Sequence, residues 1–219
     1  KTYKPQIKGD LKAIEAACEM IAAAERPILY TGGGIINSGP GAAQMLRELA
    51  KLTGAPVTST LMGLGTMPQD DKQFLGMLGM HGSYEANMAM NQCDLMVCLG
   101  ARFDDRVTGR LDAFSPNSKK IHVDIDRSSI NKVVRVDLGI VGRYIFSPQI
   151  VTGAINSLAL GDAIDTLALI DGEEVQLAQA RFDLSELNRG EWNAASTKRL
   201  FSTQRSTQKG RQSRFDEPG

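Results

Sequence analysis

Short, wholly apolar segments alternate with helical patterns along this chain, and that alternation constrains its fold more than any other feature. Strands are predicted at residues 27–30, 56–59, 95–99, 120–124 and 139–141. Helices are predicted at 10–25, behind the N-cap residue Asp10, and at 42–52. A strand that is apolar on both sides needs cover on both faces, which indicates a parallel sheet between helices. Right-handed crossovers then give a doubly wound, mainly parallel, Rossmann-like α/β fold.

Composition narrows the class of protein. The chain has 219 residues, 42% of them hydrophobic, and 22 glycines, which suits one α/β domain with several tight turns. Its 25 basic and 25 acidic residues balance, so no bias toward nucleic acid or an anionic membrane is expected. No apolar run approaches the roughly 18 residues of a membrane span, and no signal peptide is visible. We expect a cytoplasmic protein.

The three cysteines are Cys18, Cys93 and Cys98. They are odd in number, lack Cys-x-x-Cys spacing and lie in predicted helices or strands. Reduced thiols in the core are therefore expected rather than disulfides or a metal site.

The character of the chain changes after residue 142. Residues 151–188 are acidic with patchy helical periodicity, whereas 189–214 are basic and rich in Ser, Thr and Gln. We divide the chain into a domain at 1–142 and an atypical tail at 143–219, partly helical and then disordered. A basic tail can touch nucleic acid, but no aromatic stacking pattern or known motif accompanies it, which favours a solvated tail.

Four loops deserve scrutiny because ligands of doubly wound sheets bind at the carboxyl ends of the strands. These loops are Gly-Gly-Gly at 32–34, Thr-Leu-Met-Gly-Leu-Gly at 60–65, Gly-Met-Leu-Gly-Met-His-Gly at 76–82 and Gly-Ala-Arg-Phe-Asp-Asp-Arg at 100–106. The triple glycine lets backbone amides approach an anion, but tight glycine turns also arise for steric reasons alone.

The acids that follow the strand at 120–124 leave two interpretations open. Asp124 can accept hydrogen bonds from ribose hydroxyls, as acids at this position do in nucleotide-binding sheets. Asp126 equally suits a helix cap before Arg127. No metal-ligand cluster, nucleophile elbow, Cys–His pair or Walker lysine is present, so no catalytic residue and no metal ligand is predicted here.

The charged loop and the two histidines also have two interpretations each. Arg102 and Arg106 can offer guanidinium donors to a phosphate or a ring carbonyl, or can pair with the intervening aspartates, which is slightly favoured. His81, between glycines, suits a structural hydrogen-bonding role better than catalysis. His122, inside a strand, is expected to be structural.

Taken together, five segments resemble the central domain of acetohydroxyacid synthase (acetolactate synthase) large subunits, which belong to the thiamine-diphosphate-dependent enzymes. They are Tyr-Lys-Pro-Gln at 3–6, Arg-Pro-Ile-Leu-Tyr-Thr-Gly-Gly-Gly at 26–34, Thr-Leu-Met-Gly-Leu-Gly at 60–65, Leu-Gly-Met-His-Gly at 78–82 and Arg-Phe-Asp-Asp-Arg-Val-Thr-Gly at 102–109. The resemblance covers residues 3–142 in order and spacing.

The resemblance implies an enzyme that decarboxylates pyruvate and joins the two-carbon unit to a second 2-oxoacid in branched-chain amino-acid biosynthesis. It implies FAD as a structural cofactor of this domain, with thiamine diphosphate and Mg in other domains, and a homodimer with a regulatory small subunit. If the source is a plant, the resemblance implies a plastid location. The implied flavin contacts are Gly33, Thr60, Leu61, Leu78, Gly79, Met80, His81, Gly100, Ala101, Arg102, Phe103, Asp104, Asp124 and Ile125. Met80, Asp105 and Arg106 resemble positions that line the substrate channel, where inhibitors bind.

The resemblance ends at Gly142. Where the family continues with Gly-Asp-Val, this chain has Gly142, Arg143 and Tyr144, so the expected flavin-contacting aspartate is an arginine. We hypothesise a frameshifted or fused terminus. Because the family's activating glutamate and Mg-diphosphate motif belong to preceding and following domains, we expect this polypeptide alone to lack synthase activity.

Two other functions remain possible at this point. One is the central domain of a related thiamine-dependent carboligase, although the run at 102–109 favours acetohydroxyacid synthase. The other is a non-catalytic module for nucleotide binding or subunit docking.

Overall fold

A computed structural model describes residues 5–6 and 9–142 of the chain. The helices in this part are α1 Leu11–Ala23, α2 Gly33–Asn37, α3 Pro40–Thr53, α4 Tyr84–Gln92 and α5 Asp105–Thr108. The strands are β1 Pro27–Thr31, β2 Val57–Ser59, β3 Phe74–Met77, β4 Leu95–Leu99, β5 Lys119–Asp124 and β6 Leu138–Val141. Short 3-10 helices at Leu61–Gly63, Leu111–Ala113 and Arg127–Ser129 complete the connections.

The six strands form one parallel sheet in the order β3-β2-β1-β4-β5-β6. The chain therefore builds outward from β1 to one edge and returns to build from β4 to the other edge. This is the strand order of a doubly wound sheet, and its switch point lies between β1 and β4. The α/β fold predicted from the sequence is confirmed.

Both faces of the sheet are buried, which explains why its central strands are apolar throughout. In β4, Leu95, Val97 and Leu99 join the core beneath α1 and α3. Met96 and Cys98 join the second core beneath α4. Alternate side chains of a strand point to opposite faces, and both faces are buried here. Every position of β4 therefore needs an apolar residue.

Capping residues define the ends of α1 and α3, the two long helices that pack on the same face of the sheet. Asp10 accepts a hydrogen bond from the Lys12 amide at 3.1 Å, so α1 begins at the predicted N-cap. Pro40 lies in the first turn of α3, and Gly54 ends that helix in the left-handed conformation. Within residues 9–142, no helix has the length and apolar character needed to cross a membrane.

Two local predictions were wrong. Gly76 and Met77 were placed in a loop but form the end of the edge strand β3, which has an irregular register with β2. Gly33 and Gly34 were also placed in a loop but begin the helix α2. Cys18, Cys93 and Cys98 are buried free thiols, as expected. The predicted tail at 143–219 lies outside the described residues.

Candidate functional site

The four loops singled out in the sequence meet at one edge of the sheet, where the parallel strands end. Backbone hydrogen bonds tie each loop to its neighbours: Gly32 N to Leu99 O at 2.9 Å, Gly34 N to Gly100 O at 2.9 Å, Thr60 N to Thr31 O at 2.9 Å, Leu78 N to Ser59 O at 3.0 Å and Met80 N to Arg106 O at 2.9 Å. Because these bonds join each loop to a neighbouring loop or to the end of a neighbouring strand, the edge forms one continuous surface, which we call the carboxyl rim.

Two of the three consecutive glycines are required by packing between loops. A Cβ atom on Gly32 would lie 2.3 Å from the Gly100 carbonyl oxygen, and one on Gly34 would lie 2.7 Å from the Gly100 Cα. Gly100 itself has a φ of 65°. The steric interpretation of the triple glycine therefore holds for Gly32 and Gly34. A Cβ on Gly33 would be less crowded, at 3.1 Å from the Met62 Cβ and 3.4 Å from the Met62 carbonyl oxygen.

The loop after β2 turns back over β1. Thr60 caps the 3-10 helix Leu61–Gly63, since its side chain accepts a hydrogen bond from Gly63 N at 3.0 Å. A Cβ on Gly63 would lie 2.7 Å from the Thr31 carbonyl oxygen, so this turn needs a glycine to sit so close to β1. The turn leaves Leu61 and Met62 exposed at the rim, at 69% and 73% respectively.

The loop after β3 lies against α5. Gly79 has a φ of 98°, and a Cβ there would lie 2.5 Å from the Arg106 carbonyl oxygen. The Met80 amide then donates to that same oxygen at 2.9 Å. Met80 is 68% exposed and His81 is also exposed. This loop therefore presents a large apolar side chain to solvent.

The loop after β4 has a buried anchor and exposed charges. Phe103 has a φ of 56° and is buried, with its ring 5.8 Å from Tyr30 and 5.1 Å from His122, centroid to centroid. On either side of it, exposed Arg102 pairs with exposed Asp104 at 3.2 Å. The predicted pairing within the loop is confirmed, and an exposed pair of this kind is weak enough to exchange for a ligand.

The acids after β5 have separate roles. Asp126 is the N-cap of the 3-10 helix Arg127–Ser129 and accepts from the Ser128 amide at 2.9 Å, which lowers its pKa. Asp124 accepts from the Asp126 amide at 2.8 Å. The capping interpretation therefore holds for Asp126, and Asp124 lies at the end of β5 on the carboxyl rim.

Three polar side chains lie side by side in the core on the α4 face of the sheet, below the rim. Tyr30, Cys98 and His122 lie at the same level of β1, β4 and β5. His122 donates from Nε2 to the Ala101 carbonyl oxygen at 2.8 Å, and burial lowers its pKa. Burial likewise raises the pKa of Tyr30. The expected structural role of His122 is confirmed: it supports the backbone of the loop after β4 from beneath.

Residues 14–145 match a protein family described as thiamine pyrophosphate enzyme, central domain. The chain belongs to this family. That match covers more than half of the chain and includes every strand of the described sheet. The matched region therefore includes the six-stranded parallel sheet and the four loops of the carboxyl rim.

Curated relatives extend the comparison. The acetolactate synthase of Mycobacterium bovis is 50% identical over 140 residues, which are 64% of this chain and 22% of that protein. The acetolactate synthase large subunit of Haemophilus influenzae is 48% identical over 142 residues, 65% of this chain and 24% of that protein. A probable acetolactate synthase large subunit of Methanocaldococcus jannaschii is 47% identical over 140 residues, which are 64% of this chain and 23% of that protein. The chain thus spans less than a quarter of the length of these relatives.

The residues proposed as flavin contacts fall into two groups in this central domain. Gly33, Thr60, Leu61, Gly79, Met80, His81, Gly100, Arg102, Asp104, Asp124 and Ile125 have exposed or half-buried surface. Leu78, Ala101 and Phe103 are buried and leave little surface for a ligand at the rim. Asp105 and Arg106 are exposed in α5, with 4.0 Å between Arg106 Nε and Asp105 Oδ2.

Two residues of the rim were missed in the sequence. Met62 is exposed beside Leu61 and extends the apolar surface. Asn87, on α4, holds the loop after β3 through its side-chain amide, which accepts from Gly79 N at 3.1 Å. A polar side chain beside the buried stripe of α4, which consists of Ala86, Ala89 and Met90, was the available signal.

Proposed function

We propose that this chain is the flavin-holding central domain of an acetolactate synthase large subunit and that it binds FAD at the carboxyl rim. One observation carries the proposal: four loops join into a single surface at the carboxyl edge of a doubly wound sheet. That edge, at the switch point, is where such sheets bind nucleotides. The relatives named acetolactate synthase support the choice of enzyme within the family.

The side chains of the rim suit the three parts of FAD. Leu61, Met62 and Met80 are large, apolar and more than two-thirds exposed, which suits contact with the isoalloxazine ring. Arg102, whose guanidinium is paired with the exposed carboxylate of Asp104, suits the diphosphate. Asp124, at the end of β5, suits the ribose hydroxyls.

The proposed contribution of FAD is structural: when bound, it supplies a rigid ring system that fills the rim, and no electron transfer is assigned to it. The residues of this chain bind and orient that ring and exclude water from the rim. Met80, Asp105 and Arg106 are proposed to line a channel toward the reaction site, where inhibitors bind. The guanidinium of Arg106 and the thioether of Met80 would there contact substrates or inhibitors.

The remaining parts of the proposal concern the whole enzyme. We propose that thiamine diphosphate and Mg are held by other domains, that the enzyme is a homodimer with a regulatory small subunit, and that it condenses pyruvate with a second 2-oxoacid in branched-chain amino-acid biosynthesis. The family supports the thiamine cofactor, and the relatives' names support the reaction. We also propose that the 219-residue chain alone forms no acetolactate from pyruvate.

A titration of the full chain with FAD tests the proposal. Quenching of flavin fluorescence and equilibrium dialysis should give saturable binding of one FAD per chain, with weaker binding of FMN and ADP, each of which has only part of the ligand. Binding of ADP and FAD with equal affinity would favour a general nucleotide-binding module. A chain that is folded by circular dichroism but leaves all FAD free would overturn the proposal, and acetolactate formation by this chain alone would overturn the proposed inactivity.

A further inference from the structure

Asn87 makes an unusual set of hydrogen bonds between α4 and the loop after β3. Its Oδ1 accepts from Gly79 N at 3.1 Å, and its Nδ2 donates to Gly79 O at 3.0 Å. The second Nδ2 hydrogen goes to Ser83 O at 3.0 Å. One side chain thus satisfies both backbone groups of Gly79, as a neighbouring strand would, and uses its whole amide to do so.

The helix that carries Asn87 is itself firmly placed. Ser83 caps α4 by accepting from Ala86 N at 3.1 Å, and its hydroxyl donates to Leu75 O of β3 at 2.6 Å. Ala86, Ala89 and Met90 bury the neighbouring side of the helix in the core. Since α4 cannot shift without disturbing that core, Asn87 presents a fixed amide to Gly79.

The loop held by Asn87 has little other support from side chains. Gly82 N donates to Gly79 O at 2.9 Å, and Ser83 N donates to Met77 O at 3.0 Å, so the loop closes through its own backbone. Within residues 9–142, no other side chain hydrogen-bonds to the backbone of residues 78–82. The position of Gly79 therefore determines the position of the Met80 Cα, from which the exposed Met80 side chain projects.

Gly79 also connects this loop to the charged loop after β4. Its left-handed backbone lies against Arg106 and Val107, with no room for a Cβ, and the Met80 amide donates to Arg106 O. A displaced Gly79 would separate the Met80 side chain from α5. Because the two loops are in contact at the rim, a displacement of one loop would also displace the other.

We propose that Asn87 is a positioning residue for the flavin site: through Gly79 it sets the place of the exposed Met80 side chain against the ring of the bound flavin. This inference rests on the proposed function. Asn87 reaches the flavin only through the loop, so its loss should change the geometry of a bound flavin as well as the order of the backbone.

The test compares Asn87→Leu and Asn87→Asp with Asn91→Leu and Asn91→Asp in the full chain. Leu is close in size and removes every hydrogen bond; Asp retains the acceptor for Gly79 N and loses the donors, which keeps the test available if the Leu variant does not fold. Asn91 is an exposed asparagine of the same helix and controls for helix propensity and charge.

Both Asn87 variants should raise the dissociation constant for FAD about tenfold or more, because Gly79, and Met80 with it, is held less firmly. The Leu variant should have the larger effect, because it loses every side-chain hydrogen bond to Gly79 whereas Asp keeps the one from Gly79 N. They should also change the visible circular dichroism of the bound flavin at saturation and speed amide exchange at Gly79 and Met80. The Asn91 variants should match the parent chain in all three measurements.

The outcomes separate the two proposals. If the parent chain binds FAD, and the Asn87 variants exchange faster at Gly79 yet keep the parent affinity and flavin spectrum, Asn87 is only structural and the inference is wrong. Equal effects at positions 87 and 91 would also overturn it. If the folded parent chain binds no FAD, the proposed function fails and this inference fails with it.

Discussion

Gly34 and Gly100 lie in such close contact that a Cβ on either residue would be 2.7 Å from the Cα of the other. Gly34 is in the first turn of α2 and Gly100 follows β4, so this contact joins the two halves of the doubly wound sheet at its switch point. The Gly34 amide donates to the Gly100 carbonyl at 2.9 Å across the same contact. Backbone packing, with no side chain involved, therefore sets the spacing of the loops at the centre of the rim.

Replacement of Gly34 by alanine should destabilise the fold, because the new methyl group meets backbone atoms that cannot rotate away. We expect a loss of about 1–3 kcal/mol in the free energy of unfolding, the usual cost of overpacking. Gly41→Ala is the matched control: it lies in the first turn of α3, has nothing within 4 Å of a new Cβ, and should be neutral or stabilising by up to about 1 kcal/mol. Urea unfolding of the two variants measures this, and equal stability would refute it.

Asp94 should be a stabilising contact at the opposite edge of the sheet. Its carboxylate accepts from Glu25 N at 2.7 Å and from Arg26 N at 2.9 Å, which fixes the turn between α1 and β1 against the start of β4. Asp94→Ala leaves both amides without this acceptor and should reduce the free energy of unfolding by about 1–3 kcal/mol. Asp70→Ala, an exposed turn position, should change it by no more than about 0.5 kcal/mol. Thermal or urea unfolding would contradict the prediction if the two variants lost the same stability.

The sequence predicted the fold well because the two central strands, β1 and β4, are fully buried and therefore largely apolar. The edge strand β3 was missed for a physical reason: it has four residues, includes Gly76 with a φ of 92°, and pairs irregularly with β2. The helix α2 was missed because glycine has low helix propensity. Its five residues are held by contacts with the neighbouring loop, which no local pattern reveals.

The rim could be located from the sequence, but its internal contacts could not. Glycines and charges after apolar strands mark the loops, and parallel strands bring those loops to one edge. Which glycine packs against which backbone depends on three-dimensional placement, as for Gly79 against Arg106. The role of Asn87 was missed for the same reason, since it depends on the orientation of α4 relative to β3.

His122 should make the fold sensitive to acid. Burial lowers its pKa from the ordinary value of 6.5, opposed by the hydrogen bond to Ala101 and by the charge of Asp124. The unfolded chain takes up a proton below pH 6.5 that the folded chain resists, so stability is complete above that pH and falls as the pH drops below it. His122→Gln keeps a donor for Ala101 O. It should reduce the change in the free energy of unfolding between pH 7.5 and pH 5.5. His81→Gln, in an exposed loop, should keep the parent pH dependence, and identical profiles for both variants would disprove the prediction.

The thiol of Cys18 should be protected at alkaline pH. Burial, and then the charges of Glu15 and Glu19, raise its pKa from 9.0 to about 11. The folded thiol therefore stays protonated where the unfolded one ionises, and its contribution to stability is present below pH 9 and is lost as the pH rises toward 11. Iodoacetamide at pH 9 should modify Cys18 at least about tenfold more slowly in the folded chain than in urea, because the thiolate is the reactive form. Peptide mass spectrometry reports the rates, and similar rates in the two states would contradict the assignment.

Arg102→Ala should weaken FAD binding while leaving the fold intact. The exposed pair with Asp104 contributes little to stability, so the free energy of unfolding should change by less than about 1 kcal/mol. A guanidinium that moves to the diphosphate would contribute about 1.5–3 kcal/mol to binding, and its removal should raise the dissociation constant roughly tenfold or more.

Arg110→Ala is the matched control, since Arg110 pairs with Asp112 at 2.6 Å at the same two-residue spacing, is similarly exposed and is assigned no flavin contact. Isothermal titration of both variants with FAD at two salt concentrations decides between them: the parent's affinity should fall with salt more steeply than that of Arg102→Ala, because the lost contact is ionic. Equal affinities for the two variants would remove Arg102 from the proposed flavin site.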